Sequence, residues 1–209
     1  MEYKICYVTV DTETGGLSPE KNPMLEIAMV AMNHELEDIG EYSSLIKPYD
    51  SNLVIQPQAL QANGISLEQL QDAPDSLTVA KEIADFLKKR KVGSQKPVLC
   101  GHNIDKFDIP FISNFLRFHK IKLEDLVNTD MTIDTMWWCR MKWTESPNYK
   151  LGTCVQRLGI ELVNAHRALA DTKANHQMVR HFLKSIRGEE IAKESSNSIP
   201  KRFRESFQI

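Results

Sequence analysis

Residues 8–17 read Val8-Thr9-Val10-Asp11-Thr12-Glu13-Thr14-Gly15-Gly16-Leu17, and this stretch decides the fold. The apolar run in residues 3–10 predicts a β-strand, and the two glycines predict a turn shortly after it. Side chains two residues apart in a strand point to the same face, so we expect Asp11 and Glu13 to lie side by side where the strand ends. At about 4 Å and an effective dielectric near 20, two carboxylates repel by roughly 4 kcal/mol. The pair is therefore either solvated at the turn or holds a proton or a divalent metal ion.

The composition is that of an ordinary globular protein. The chain has 209 residues, of which 42% are hydrophobic and 26% are charged. A chain of this length buries about 70% of the surface that its unfolded form exposes, so one domain is expected. The formal net charge of −2 neither requires nor excludes nucleic acid, because a basic groove can be offset by acids elsewhere. No apolar run reaches membrane-spanning length, which predicts no membrane association.

The cysteine pattern indicates a reducing compartment. Cys6, Cys100, Cys139 and Cys154 include no C-x-x-C pair and lie among apolar residues. We expect buried reduced thiols rather than disulfides or zinc ligands. Because the amino terminus also lacks the pattern of a signal peptide, the sequence predicts a cytoplasmic protein.

Strand patterns come first along the chain, and strands alternating with helices follow. Strands are predicted at residues 3–10, 25–32, 41–47, 97–101 and 132–135. Helices are predicted after a cap at Asp75 or Ser76 and at residues 107–119, 136–141, 149–158 and 168–186. This order predicts an α/β fold with a mixed sheet and helices on its faces. We expect residues 1–187 to form the domain and residues 188–209 to form a tail, mobile or docked on a partner.

Two later clusters carry further candidate residues. Asp108 follows a predicted buried strand and begins a predicted helix, which is where sheet enzymes place their sites. His166 lies in a predicted loop, and Asp171 lies in the first turns of the next helix. Taken alone, each residue has an ordinary structural explanation, such as an acid stabilised at a helix start.

Taken together, the three clusters resemble the motifs of the DnaQ-like (DEDDh) family of 3′-to-5′ exonucleases. That family has Asp-x-Glu at a strand end, Asn followed shortly by Phe-Asp, and His-x4-Asp, in this order. The matching residues are Asp11 and Glu13, then Asn103, Phe107 and Asp108, then His166 and Asp171. The resemblance covers roughly residues 5–183. It implies an RNase H-like fold in which helices surround a mixed five-stranded sheet.

The resemblance also implies a catalytic mechanism. Asp11, Glu13, Asp108 and Asp171 would hold two Mg²⁺ or Mn²⁺ ions, which prefer oxygen ligands. Two such ions about 3.5–4 Å apart can activate water and stabilise the charge on a phosphodiester. His166 would act as the general base that takes the proton from the attacking water.

Substrate-binding residues are implied at seven positions: Thr14, Gly15, Gly16, Leu17, Glu26, Asn103 and Phe107. Leu17 is either a wedge against a base or a core residue, and Glu26 is either near the sugar or a buried structural acid. For Phe107, packing is favoured. Three residues separate Asn103 from Phe107, one more than in bacterial proofreading subunits, and this leaves Asp105 as a rival of Asp108. We favour Asp108, because Phe-Asp followed by Ile-Pro-Phe matches the pattern of a helix start, and Asp105 is then a solvated loop acid. At Asn63 many relatives have histidine.

We therefore predict a metal-dependent exonuclease that releases 5′-mononucleotides from the 3′ end of single-stranded or frayed DNA. An RNA-trimming enzyme of the RNase T or oligoribonuclease type is the alternative, and a non-catalytic nucleic-acid-binding module is the second. The expected partners are a DNA or RNA 3′ end and a DNA polymerase or another replication or repair protein. The oligomeric state stays open.

Overall fold

A computed structural model describes residues 4–162 and 167–189 of the chain. Within these residues the strands are β1 (Tyr7–Thr14), β2 (Met24–Met32), β3 (Asp38–Leu45), β4 (Val98–Gly101) and β5 (Thr132–Asp134). The helices are α1 (Pro57–Asn63), α2 (Leu67–Gln71), α3 (Ser76–Lys88), α4 (Asp108–Phe118), α5 (Thr135–Lys142), α6 (Leu151–Arg157) and α7 (Ala168–Arg187), with a 3-10 turn at Leu123–Asp125. His166 and residues 190–209 of the predicted tail lie outside the described residues.

The five strands form one mixed sheet in the order β3-β2-β1-β4-β5. β1, β2 and β3 are antiparallel neighbours, whereas β4 and β5 run parallel to β1. The carboxyl ends of β1, β4 and β5 therefore meet at one edge. β1 pairs with β4 only as far as Thr9 opposite Cys100, so the last part of β1 continues beyond that neighbour. Open sheets bind ligands at edges of this kind.

Helices cover both faces of the sheet, and alternation along β1 sets which residue faces which layer. Val8 and Val10 belong to the core that contains Ile83 of α3 and Phe115 of α4. Tyr7 is adjacent to Val8 and points to the opposite face, where it packs in the other core with Val179 and Leu183 of α7. The mixed five-stranded sheet with flanking helices that the sequence predicts is confirmed.

The first strand differs from the prediction at both ends, since it begins at Tyr7 and is longer at its carboxyl end. It continues through Thr14, so Asp11 and Glu13 lie within the strand rather than just past it. The reason is pairing with β2, where Asp11 faces Ala28 and Glu13 faces Glu26 across an antiparallel ladder. Regular strand geometry thus extends through the polar residues and fixes the directions of their side chains.

Other elements agree with the sequence more closely. Asp75 caps α3 by accepting hydrogen bonds from the amides of Leu77 and Thr78, at 3.1 and 3.2 Å. The segment between β3 and α3 contains the two short helices α1 and α2. All four cysteines are buried and free. In the part of the chain that the structure describes, no helix is both long and apolar enough to cross a membrane.

Gly101 at the end of β4 provides a test of the packing next to this edge. A Cβ there would lie 2.6 Å from the Cβ of Ile104, which is fully buried. We expect Gly101→Ala to cost about 1–3 kcal/mol, which lowers the melting temperature by several degrees. Thermal unfolding followed by circular dichroism measures the change.

Gly152→Ala is the matched control, because the nearest atom to its Cβ is 3.9 Å away and the position lies within α6. Alanine favours a helix interior by up to about 1 kcal/mol over glycine. Equal losses of melting temperature in the two variants would contradict the packing described for Gly101.

Candidate active site

Three carboxylates from distant parts of the sequence meet beside β1. Asp11 and Glu13 share the parity of Tyr7, so they project on the side of the sheet that α7 covers. Asp171 comes from the first turn of α7. One carboxylate oxygen from each of the three residues lies within 4.8 Å of the other two. All three residues are half-buried.

Asp108 approaches from the opposite side of β1. Thr12 points toward α3 and α4, and its hydroxyl donates a hydrogen bond of 2.8 Å to Oδ1 of Asp108. Asp108 is the first residue of α4, where the helix dipole favours an acid, and it is 3% exposed. Asp11 and Glu13 therefore face one layer of helices, and Thr12 between them orients a fourth acid, Asp108, from the other layer.

Burial and mutual repulsion hold the pKa values of these acids above their ordinary range. Burial raises the pKa of Asp11 well above its usual value, and the nearby carboxylates of Asp108, Glu13 and Asp171 raise it further. Burial likewise raises the pKa of Glu13 to about 7, with Asp171 as the strongest neighbouring charge. For Asp108, burial raises the pKa to about 7 against the opposing effect of the Thr12 hydrogen bond.

This donor set fits a hard divalent cation. Its ligand atoms are carboxylate oxygens, as magnesium, manganese and calcium prefer, without the thiolates that softer metals favour. A cation between the carboxylates would also remove the repulsion that raises their pKa values. The cluster of Asp11, Glu13 and Asp171 can thus bind a metal ion.

Glu26 anchors the start of α7 against β2. It is 5% exposed, and it lies directly across the strand pair from Glu13. Its Oε1 accepts a hydrogen bond of 3.2 Å from the Arg167 guanidinium, and its Oε2 accepts one of 3.4 Å from the amide of Ala168. Like charges opposite each other destabilise a sheet. Arg167 offsets this repulsion and lowers the pKa of Glu13.

A pocket of about 340 Å³ adjoins Glu13. Its lining combines the glycine turn, α1 and the residue before α4, including Thr14, Gly16, Leu17, Asn63 and Phe107. Leu17 is 82% exposed, so the alternative that it belongs to the core is wrong. Phe107 packs on Phe111, with ring centroids 5.1 Å apart, and also lines the pocket.

Close packing holds the pocket wall in place. The Asn63 side chain donates to the carbonyl of Thr14 at 3.3 Å and accepts from the amide of Ile65 at 3.2 Å. A Cβ on Gly15 would lie 2.8 Å from Pro23, and one on Gly16 would lie 2.5 Å from Asn22. The two glycines are therefore needed for the close approach of this turn to its neighbours.

Asn103 and Asp105 occupy the loop between β4 and α4. Asn103 has a left-handed backbone with φ of 66°, and its amide donates to Oδ1 of Asp134 at 2.9 Å. Asp105 is exposed and accepts a hydrogen bond of 2.7 Å from the Thr132 hydroxyl on β5. Of the two rival acids, the structure therefore places Asp108 beside Thr12 and Asp11. Sequence reasoning missed Thr12, which strand alternation could have indicated, and Arg167, whose partner Glu26 is 141 residues away.

Comparison with known proteins decides the family. A family model described as an exonuclease, RNase T type, matches residues 8–179. The chain belongs to this exonuclease family. It is a DnaQ-like exonuclease with the RNase H-like fold, as its motifs predict.

Several relatives of this exonuclease are much longer proteins. DNA polymerase III PolC-type of Bacillus cereus is 33% identical over 180 residues, which is 86% of this chain and 11% of the polymerase. The Bacillus subtilis protein of the same description is 29% identical over 178 residues, which is 85% of this chain and 11% of that protein. The chain thus spans only about a ninth of the length of these relatives.

Solved structures show the same fold. E. coli exonuclease I in complex with a dT13 oligonucleotide superposes with a TM-score of 0.74 at 21% identity, covering 87% of this chain and 41% of that one. A zinc-bound form of the E. coli exonuclease I complex with single-stranded DNA gives a TM-score of 0.75 at 20% identity, covering 89% and 42%.

The raised pKa values predict how the stability of the metal-free protein depends on pH. Because these acids bind protons more tightly in the folded than in the unfolded state, their contribution to stability declines as pH rises from about 4 to above 7. We expect the melting temperature in EDTA to fall by several degrees between pH 5 and pH 8. Addition of Mn²⁺ at pH 8 should reverse the fall.

Asp11→Asn removes one charge from the cluster. This variant should melt higher than the unsubstituted protein in EDTA at pH 8, and it should respond weakly to Mn²⁺. Asp105→Asn is the control, since it removes an exposed acid outside the cluster. Identical pH slopes for Asp11→Asn and the unsubstituted protein would refute this account of the cluster.

Proposed function

We propose that this exonuclease degrades single-stranded or frayed DNA from the 3′ end and releases 5′-mononucleotides. The observation that carries the proposal is the juxtaposition of the Asp11, Glu13 and Asp171 carboxylates, within 4.8 Å, with a pocket whose rim carries the exposed Leu17. Such a site can hold a phosphate beside metal-binding acids and a terminal base beside an apolar side chain.

The acids have distinct roles in this proposal. Asp11, Glu13 and Asp171 would hold one divalent ion, and Asp108 together with Asp11 would help to hold a second. Bound Mg²⁺ or Mn²⁺ ions supply Lewis acidity toward the phosphate and lower the pKa of coordinated water. The hydrogen bond from Thr12 keeps one oxygen of Asp108 oriented and leaves the other for this purpose.

His166 is the proposed general base of the DEDDh type. It lies outside the described residues, and the support for its role is its place in the chain. The next residue, Arg167, and then Ala168 are both bound to the buried Glu26 carboxylate, so the chain is fixed immediately after position 166. Imidazole has a pKa near neutrality and can accept the proton from water that attacks the phosphate.

Thr14, Gly15, Gly16 and Leu17 are proposed to bind the terminal nucleotide. The turn is held tightly, and Leu17 projects from it at 82% exposure as an apolar wedge. Phe107 adds aromatic surface to the same pocket. Asn103, in the loop before α4, is a further proposed substrate contact. The carboxylate of Glu26 is bound to Arg167, so Glu26 is proposed to order the residues around the substrate and not to contact it.

DNA is the proposed polymer, and a polymerase is the proposed partner. Relatives are DNA polymerases III of the PolC type, and E. coli exonuclease I has been crystallised with a dT13 oligonucleotide. We propose that residues 1–187 are sufficient for the reaction. Residues 188–209 are then a tail that the reaction does not require.

A gel assay tests the reaction. The substrates are 5′-labelled single-stranded DNA, duplex DNA and RNA of one sequence, with Mg²⁺, Mn²⁺ or EDTA. We expect a ladder that shortens from the 3′ end, fastest on single-stranded DNA and absent in EDTA, and a 10²- to 10⁴-fold loss in His166→Ala, the typical range for a general base. Laddering on RNA alone would assign the RNA-trimming function, and binding without laddering would contradict catalysis.

Asp105 lies in the loop before α4, and Asp108 is the first residue of that helix, so the two acids form a matched pair for substitution. We expect Asp108→Asn to reduce kcat about 100-fold or more, because it weakens a metal ligand, and Asp105→Asn to leave kcat within twofold. Single-turnover rates at saturating Mg²⁺ measure both. The reverse order of effects would show that the longer spacing of the second motif shifts its acid to Asp105.

A further inference from the structure

Trp137, Arg140 and Tyr149 form a cluster on the surface next to α5, which we call the aromatic–arginine cluster. Trp137 is 45% exposed and lies in the first turn of α5. The Arg140 guanidinium carbon lies 4.9 Å from the centroid of the Trp137 ring and 5.6 Å from that of Tyr149. Cation–π contacts of this kind orient all three side chains relative to one another.

Hydrogen bonds tie this cluster to the loop that leads to Asp108. The Asp134 carboxylate oxygen that accepts from the amide of Asn103 also accepts from the amide of Met136 at the start of α5, both at 2.9 Å. His102 lies 3.0 Å from the hydroxyl of Thr135 and 2.7 Å from the carbonyl of Tyr149. The loop at residues 102–103 is therefore hydrogen-bonded to both segments that carry the cluster.

The position of α5 relative to the sheet places the cluster near the site. α5 begins where β5 ends, and Asp134 at that end pairs with Gly101 at the end of β4. This is the edge at which β1 presents Asp11 and Glu13, since the three strands are parallel. Trp137, three residues after Asp134, therefore lies on the same edge of the sheet as the carboxylates.

The charge around the cluster is complementary to a nucleic-acid backbone. Residues 135–150 contain Arg140, Lys142 and Lys150 but a single acid, Glu145, so the segment has a net charge of +2 in a chain whose net charge is −2. Arg140, Lys142 and Lys150 are exposed. Within the described residues, none of the three forms an ion pair with a carboxylate.

Trp138 shows that exposure distinguishes the two neighbouring tryptophans. Its ring packs edge-on against Phe182 of α7, with centroids 5.0 Å apart, so it is partly buried against the core. Trp137 has no such aromatic partner among the described residues, and its contact is Arg140. Packing against the core accounts for a tryptophan at position 138, but it does not account for the exposed tryptophan at position 137.

We propose that the aromatic–arginine cluster binds single-stranded nucleic acid upstream of the 3′-terminal nucleotide. A base would stack on Trp137, and Arg140 would contact a phosphate. Alternation of aromatic faces and cations is the general means by which proteins hold single strands without sequence preference. The inference rests on the proposed function, in that the strand enters from this edge with its 3′ end at the carboxylates.

Substrate length provides the test. Steady-state kinetics compare a dT12 oligonucleotide with the p-nitrophenyl ester of thymidine 5′-monophosphate, which has no nucleotide upstream of the bond that is cleaved. Trp137→Ala should reduce the ratio of kcat/KM for dT12 to kcat/KM for the ester about 5- to 10-fold, at the lower end of the effect of losing one base stack. Trp137→Phe should restore most of the ratio.

Phe118→Ala is the matched control, because Phe118 is 47% exposed and lies at the far end of α4 from Asp108. Its ratio should equal that of the unsubstituted protein. An unaltered ratio in Trp137→Ala, or an equal change in Phe118→Ala, would overturn the inference.

A binding experiment separates this inference from the proposed function. Fluorescence anisotropy of labelled dT12 and dT2 in EDTA requires no hydrolysis. If neither single-stranded nor duplex DNA is hydrolysed in the gel assay, the proposed function fails. Weaker binding of dT12 by Trp137→Ala, with binding of dT2 unaffected, would still support the cluster as a binding surface. Unchanged dT12 binding would overturn the inference independently of activity.

Discussion

Electrostatic repulsion among the carboxylates around β1 is the constraint on which the rest of the structure depends. Asp11, Glu13 and Asp171 are half-buried within 4.8 Å of one another, and Asp108 is 3% exposed beside them. Without a cation this arrangement costs stability, because burial raises the pKa values of Glu13 and Asp108 to about 7 and the neighbouring carboxylates add to the effect at Glu13. The apolar cores on the two faces of the sheet supply the offsetting free energy. Function thus accounts for an arrangement that stability alone would disfavour.

Carboxylates that accept backbone amide hydrogen bonds position the elements around this site. Glu26 binds the amide of Ala168 at the start of α7, and Asp134 binds the amides of Asn103 and Met136. Each such acid sits where helix N–H groups lack partners, so the contact is favourable on its own. The same contacts fix the start of α7, which follows His166 in the chain, and the loop before Asp108. Glu26 and Asp134 thus hold backbone, whereas Asp11, Glu13 and Asp171 form the cluster that can bind a metal ion.

The sequence predicts the sheet, the helices and the three motifs because each rests on local periodicity or spacing. Alternation in residues 8–13 and the helical repeat in α7 are local signals of this kind. The end of β1 at Thr14 is different, because pairing with β2 extends the strand through polar residues. Exposure of Leu17, burial of Glu26 and its ion pair with Arg167 also depend on distant parts of the chain. Spacing alone left Asp105 as a rival of Asp108, and the exposure of Asp105, the burial of Asp108 and the contact of Asp108 with Thr12 distinguish the two acids.

The most direct test of the central claim is a crystal structure with Mn²⁺ and thymidine 5′-monophosphate, examined by anomalous scattering at the manganese edge. We expect an anomalous peak bounded by Asp11, Glu13 and Asp171, with the nucleotide base against Leu17. A second peak is expected on the side of Asp108. Manganese bound elsewhere, with no peak among these carboxylates at saturating concentration, would contradict the claim that this cluster of mutually repelling carboxylates is a metal site.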